Sequence, residues 1–251
     1  MSEQHFAAEI SADGRFGASA ITHPGSRSYN EDSYISRPDL GVWAVADGVG
    51  GHEAGEVASK MVTDALSSIP SDLSFAELVV EVRLRINDAH IGLLEEAARR
   101  GREVVMATTV VALVARGAHF ACLWAGDSRA YLMRDGVVRQ VTQDHSLVQE
   151  MLNAHAISED EAMTHPRANV ITRAVGAGDA ALQLDEVSDR LNTGDRFLLC
   201  SDGLWKMMGT AELAGMLAAS SEPPAERLLA TALERKADDN VTVVTVQVGP
   251  G

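Results

Sequence analysis

Two stretches of the chain, Val42-Trp43-Ala44-Val45-Ala46 and Phe197-Leu198-Leu199-Cys200, are apolar without a break and run almost at once into Asp47-Gly48 and Asp202-Gly203. A strand with one wet face alternates apolar and polar residues, so a strand-length run without alternation has to be covered on both faces. The chain therefore needs a sheet buried between other layers. A carboxylate at the end of such a strand must be paired or metal-bound, because an isolated buried charge costs too much. A third segment, Ala237-Asp238-Asp239-Asn240 followed by Val241 to Val246, sets a carboxylate at the start of an apolar run.

Asp-Gly by itself carries little, since roughly one pair is expected by chance in a chain this long. Asp135-Gly136 lies between Ala130 to Met133 and Val137 to Val141 and reads as a two-residue hairpin turn. Asp13-Gly14 reads as a turn near the N-terminus. Asp47 and Asp202 stand apart because of the apolar runs before them.

The coarse map starts with short strands at Phe16 to Thr22, Ser33 to Ser36 and Val42 to Ala46. Two helices follow, Glu53 to Ser68 and Ser74 to Arg100, whose apolar residues recur at helical spacing. Strands are predicted at Ala107 to Ala115, His119 to Ala125, Ala130 to Met133 and Val137 to Val141, with Arg116-Gly117-Ala118 as a tight turn. Ser146 to Thr172 is polar and broken into short helical pieces, and reads as a surface flap beside the site that sets protein-substrate choice. Strands at Ala181 to Val187, Arg196 to Cys200 and Val241 to Val248 and helices at Thr210 to Ala219 and about Pro224 to Arg235 complete an α+β layered chain.

With 251 residues, 46% hydrophobic content and no apolar run near 18 residues, this reads as one soluble domain spanning residues 1–251. The N-terminus is polar rather than a secretory signal, which places the chain in the cytoplasm. Cys122 and Cys200 sit inside apolar runs and read as buried small hydrophobes, not nucleophiles. A formal net charge of −15 disfavours nucleic-acid backbones and anionic membrane surfaces as partners. An acidic site that receives a phosphoester needs divalent cations to invert its field.

Gly25-Ser26-Arg27-Ser28-Tyr29-Asn30-Glu31-Asp32 adds a guanidinium four residues before a carboxylate pair, and Arg27 reads as a bidentate phosphate clamp. Together with VWAVADGVGGH (Val42 to His52), Ala125-Gly126-Asp127-Ser128-Arg129, FLLCSDGLWK (Phe197 to Lys206) and ADDNVTVVTV, in this order, it resembles the metal-dependent protein serine/threonine phosphatases of type 2C, in a bacterial-like form.

The resemblance implies a four-layer α-β-β-α sandwich, two antiparallel sheets flanked by helix pairs, with a binuclear Mn²⁺ or Mg²⁺ centre at one end. By position, Asp47 would bridge both metals and Gly48 would offer its carbonyl to one. Asp202 and Asp239 would bind the other, Glu31 and Asp32 would reach the metals directly or through water, and Arg27 would hold the phosphate. Such hard cations take oxygen ligands, keep waters and acidify one for in-line attack on phosphorus. Eukaryotic members often carry histidine right after the first Asp-Gly; here Val49 stands there, and His52 is the alternative proton donor, or else a phosphate contact or helix cap. Asp127, with an Asp usual four residues after the later metal-binding Asp, can hold a third, weaker metal in the family. Here that later residue is Lys206, so an Asp127–Lys206 ion pair is expected to fill the third site.

The activity implied is hydrolysis of phosphoserine and phosphothreonine on proteins by a monomer, opposite a bacterial serine/threonine kinase and its targets. A pseudophosphatase that only binds phosphoproteins would have lost Asp47, Asp202 or Asp239, and all three are present. A small-phosphoester or nucleotide hydrolase would want a Gly-rich phosphate loop, which is missing.

Overall fold

The structure is a computed structural model, and it describes residues 5–49, 53–101, 104–178, 181–218 and 223–250. The elements run β1 (His5–Ile10), β2 (Phe16–His23), β3 (Asp32–Arg37), β4 (Val42–Val49), α1 (Glu53–Ser67), α2 (Phe75–Arg100), β5 (Ala107–Thr108), β6 (Val110–Arg116), β7 (His119–Ala125), β8 (Arg129–Arg134) and β9 (Val137–Gln140). Then come α3 (Leu147–Asn153), α4 (Glu159–Met163), β10 (Asp185–Arg190), β11 (Arg196–Cys200), α5 (Asp202–Trp205), α6 (Thr210–Ala218), α7 (Pro224–Glu234) and β12 (Val241–Val248).

The strands form two antiparallel sheets, ordered β1-β2-β12-β11-β8-β9 and β10-β7-β6-β4-β3, with the short β5 added to β4. The unbroken apolar runs are explained by alternation between two cores. From β4, Ala44 and Ala46 enter the core beneath α1 and α2, while Trp43 and Val45 enter the core between the sheets. From β11, Phe197 and Leu199 face the other sheet, while Leu198 and Cys200 pack under α5, α6 and α7. The order of layers is thus helix, sheet, sheet, helix. The middle core is closed by aromatic edges, Phe120 on Phe197 at 4.9 Å and Phe16 on Trp43 at 5.4 Å between ring centroids.

Local chemistry sets the element ends. Ser74 caps α2, accepting from the Glu77 N–H while the Glu77 carboxylate accepts from the Ser74 N–H. Asp135-Gly136 is the hairpin turn between β8 and β9, with φ of 52° and 78°, as a type I′ turn requires. Cys122 and Cys200 are free and fully buried, and burial pushes the Cys122 thiol up to about 12.

Three sequence readings needed correction. The strand expected at Ala181 to Val187 lies at Asp185–Arg190, because Leu182 and Leu184 leave the sheet to pack under α2, and pairing with β7 starts only at Asp185. The N-terminal segment His5–Ile10, where no element was predicted, is an edge strand paired to β2 along its whole length. Asp202 does not end a strand but opens the short helix α5, with Ser201 in extended conformation before it.

Candidate functional site

At one end of the sandwich, where strands of both sheets terminate, a cleft of about 650 Å³ is lined by Arg27, Glu31, Asp47, Gly48, Asp127, Asp202 and Asp239, together with Asn169, Ile171 and Lys206. Residues 27 to 240 of the sequence meet there. The Asp47 main chain is held from three sides: its N–H donates to Thr109 Oγ1 at 3.1 Å, and its carbonyl accepts from the Thr109 N–H and the Thr108 hydroxyl, both at 2.8 Å. Gly48 packs so tightly that a Cβ there would stand 2.3 Å from the Gly55 carbonyl oxygen and 2.6 Å from that of Glu31. Only glycine lets α1 approach the end of β4 in this way.

The loop carrying Arg27 and Glu31 is tied to the Asp239 loop by Asn240, which the sequence reading did not single out. Its side-chain oxygen accepts from the Glu31 N–H at 2.7 Å, and its amide donates to the carbonyls of Pro24 and Tyr29. Asparagine supplies both a donor and an acceptor there, which aspartate would not. On the opposite side, the Trp205 indole donates to the Asp127 carbonyl at 2.9 Å, and the Arg129 guanidinium lies 3.5 Å over the same ring. Arg129 is itself gripped by the Asp144 carboxylate at 2.7 Å, and His145 Nδ1 accepts from the Gly126 N–H. Arg129 and Trp205, 76 positions apart, gave no sequence signal, since cation–π partners on a separate strand and helix have no spacing to recognise.

Arg27 is exposed at the cleft rim, where it donates to the Asp238 carbonyl at 2.9 Å and to Asp239 Oδ2 at 3.0 Å. Asp32 is placed differently from Glu31: it lies beneath the cleft, buried, with Oδ2 accepting from Ser201 and Thr242 hydroxyls at 2.7 Å each. His52 lies outside the described residues. Lys206 overturns the expected pair with Asp127. Its ammonium instead contacts Asp202 Oδ2 at 2.6 Å, one helical turn back, and the Asn169 side-chain oxygen at 2.8 Å. Burial pulls the Lys206 pKa down, and the adjoining Asp202 carboxylate more than offsets this, leaving it above its ordinary value.

The electrostatics are unbalanced toward negative charge. Burial, with further repulsion from Asp32 and Asp202, raises the Asp47 pKa well above the carboxylate range. Burial pushes Asp32 up to about 7 against two hydroxyl donors, and burial together with Asp202 pushes Asp127 up to about 7. Among the described residues, two buried carboxylate oxygens, Oδ1 of Asp32 and Oδ1 of Asp202, have no hydrogen-bond partner. Buried acceptors of this kind are costly unless a cation or donor meets them. The all-oxygen donor set therefore fits hard divalent cations. Among the described residues no three His, Cys, Asp or Glu side chains close into a cage round one point. An ion held by few carboxylates would complete its shell with waters.

A pH dependence follows for the protein stripped of metal by a chelator. Asp32 and Asp127 have folded-state pKa values of about 7, against 3.8 ordinarily, so the folded chain keeps protons that the unfolded chain releases. The stability they contribute is fully present below about pH 4 and is lost as pH rises through about 7. Thermal unfolding in chelator should show Tm falling across that window, and added Mn²⁺ should restore it near neutral pH. A chelated Tm that climbs from pH 5 to 7 would contradict this account of the cluster.

Comparison with known proteins agrees with the architecture. Residues 22–241 match the family model described as Protein phosphatase 2C. The chain is 34% identical over 230 residues to the serine/threonine phosphatase stp of Listeria welshimeri, covering 88% of this chain and 91% of that protein. Among solved structures it is similar to PppA, described as a key regulatory component of T6SS in Pseudomonas aeruginosa, at 40% identity and a TM-score of 0.86 over 93% of this chain and 98% of that one. It is also similar to the catalytic domain of the serine threonine protein phosphatase PstP in complex with 2 manganese ions, at 31% identity and a TM-score of 0.80 over 94% of this chain and 99% of that one. The sandwich, its element order and these matches together show that the chain belongs to the protein phosphatase 2C family.

Proposed function

We propose that this protein hydrolyses phosphoserine and phosphothreonine on other proteins, using two divalent cations, Mn²⁺ or Mg²⁺, held by Asp47, Gly48, Asp202 and Asp239, with Glu31 reaching them through water. The observation that carries the reading is the oxygen-lined cleft, in which desolvated carboxylates outnumber the two cationic side chains Arg27 and Lys206. Bound cations would supply positive charge against the phosphoryl oxygens and an acidified water as nucleophile.

The chain's own residues do the rest. Asp47 sets the charge of the cleft floor, held in place by Thr108 and Thr109. Arg27 offers a planar guanidinium at the rim, and a phosphate dianion would compete there with Asp239 for its N–H groups. Asp32 anchors Ser201 and Thr242, the residues just before α5 and within β12, through Oδ2, and would reach the metals through its unpaired Oδ1, directly or through water. The segment 146–172 acts as a flap whose Asn169 and Ile171 face the substrate. A serine/threonine kinase, or that kinase's targets, is the partner such an activity opposes.

The test is hydrolysis of a phosphothreonine peptide beside ATP, each with Mn²⁺ and with excess chelator. The peptide should turn over only with Mn²⁺ and the nucleotide should not compete. Turnover that survives chelation would remove the metal from the mechanism, and faster nucleotide hydrolysis would shift the substrate class.

A further inference from the structure

Lys206 does two things at once that its neighbours do not. It follows α5 directly, and its backbone N–H donates to the Asp202 carbonyl at 3.0 Å while its ammonium reaches Asp202 Oδ2 at 2.6 Å. The same ammonium donates to the side-chain oxygen of Asn169 at 2.8 Å, across 37 positions of sequence. An ammonium has three donors and no acceptor, so a carboxylate and an amide oxygen can be satisfied together. The two oxygens of Asp202 are thereby made unlike. Oδ2 is committed to Lys206, whereas Oδ1 is buried and without a hydrogen-bond partner.

The base of the 146–172 segment is stapled independently of this contact. The Leu147 N–H donates to the Val170 carbonyl, the Thr172 N–H donates to that of His145, and Ser146 bridges Ile171. Those bonds fix where the segment leaves and rejoins the fold, but they act on the main chain. The side chains of Asn169 and Ile171 are the parts that line the cleft, and Lys206 is what grips Asn169.

We infer that Lys206 is a positioning residue that latches the cleft-facing part of the 146–172 segment to Asp202 and leaves Asp202 Oδ1 as that carboxylate's free ligand position. The device is an internal cation bridging a flap to the site wall. Its consequence for catalysis rests on the phosphatase reading above; the latch itself does not.

Hydrogen exchange of the full chain, with Mn²⁺ and with chelator, tests it on Lys206→Met, Asn169→Ala and the double variant. Each single change should speed exchange of the amides in 168–172 several-fold while the strands of both sheets keep their protection, which also reports that the variants fold. The double variant should add nothing further, since both changes open one latch. Lys206→Arg, which keeps the charge, should recover part of the protection. In a Mn²⁺ titration followed by calorimetry, Lys206→Met should bind more tightly, because an ammonium no longer shares the Asp202 charge. Unchanged exchange in Lys206→Met or additive single changes would each overturn the latch, and Mn²⁺ affinity that is equal or weaker would overturn the assignment of Asp202 Oδ1 as the free ligand position. Failure of the unaltered chain to hydrolyse phosphopeptide would instead overturn the phosphatase reading and leave the exchange result standing.

Discussion

Asp47→Asn lowers turnover of a phosphothreonine peptide at saturating Mn²⁺ by at least about 10²-fold, the scale of losing one strong electrostatic contribution to a transition state. The substitution keeps volume and shape, and it removes the charge that sits where burial and the neighbouring Asp32 and Asp202 already raise the cost of ionisation. The main-chain bonds to Thr108 and Thr109 do not involve the carboxylate, so the end of β4 stays in place. The fold should even gain slightly in chelator, because one repelling carboxylate is gone. Two measurements decide it: steady-state hydrolysis and chelated Tm. Residual activity above a tenth of the unaltered protein would show that Asp47 does not carry the chemistry.

Gly25→Ala should damage both stability and activity, although Gly25 touches no substrate. Its φ of 61° is left-handed, and a Cβ would stand 2.0 Å from the Asp239 carbonyl oxygen. The backbone conformation costs an alanine about 1–2 kcal/mol, and the collision adds about 1–3 kcal/mol if neighbours move to relieve it. The neighbours that must move are the loop of Asp239 and Asn240 and, through Asn240, the loop that carries Arg27 and Glu31. Denaturant unfolding should therefore show lost stability, and calorimetry should show weakened Mn²⁺ binding. Gly14→Ala is the control, since Gly14 has φ of 71° with open space around it and should lose stability while metal binding stays. Equal metal affinity in Gly25→Ala and the unaltered chain would mean that Gly25 does not hold the Asp239 loop.

The residues around Arg27 show why family resemblance and geometry contribute different things. The resemblance implied that Arg27 holds the phosphate; the guanidinium stands at the cleft rim with its hydrogen bonds on Asp238 and Asp239, so a phosphate bound there would displace or share them. Asp32 shows the same division. Next to Glu31 in sequence it reads as a second ligand; register pairs it with Asp47 on β4, so both carboxylates leave the same face, with Asp32 Oδ2 taken by the Ser201 and Thr242 hydroxyls.

What the sequence determined by itself was whatever depends on local pattern. Unbroken apolar runs at Val42 and Phe197 required cover on both faces, and the helical spacing of α1 and α2 required a sheet to lie on, so a layered α+β chain was legible, while the two-sheet sandwich came from the family resemblance. The Asp135-Gly136 turn was legible because its backbone demands are met by adjacent residues. What only the tertiary structure decided were contacts between segments far apart in the chain. From the sequence Lys206 was expected on Asp127; the helical turn of α5 brings it instead to Asp202, and the return of the 146–172 segment brings Asn169 to it. The role of Asn240, the Arg129–Trp205 stack and the late start of β10 belong to the same class. Each is fixed by strand register and layer packing, which are cooperative properties of the whole chain and leave no periodic trace in any one stretch of it.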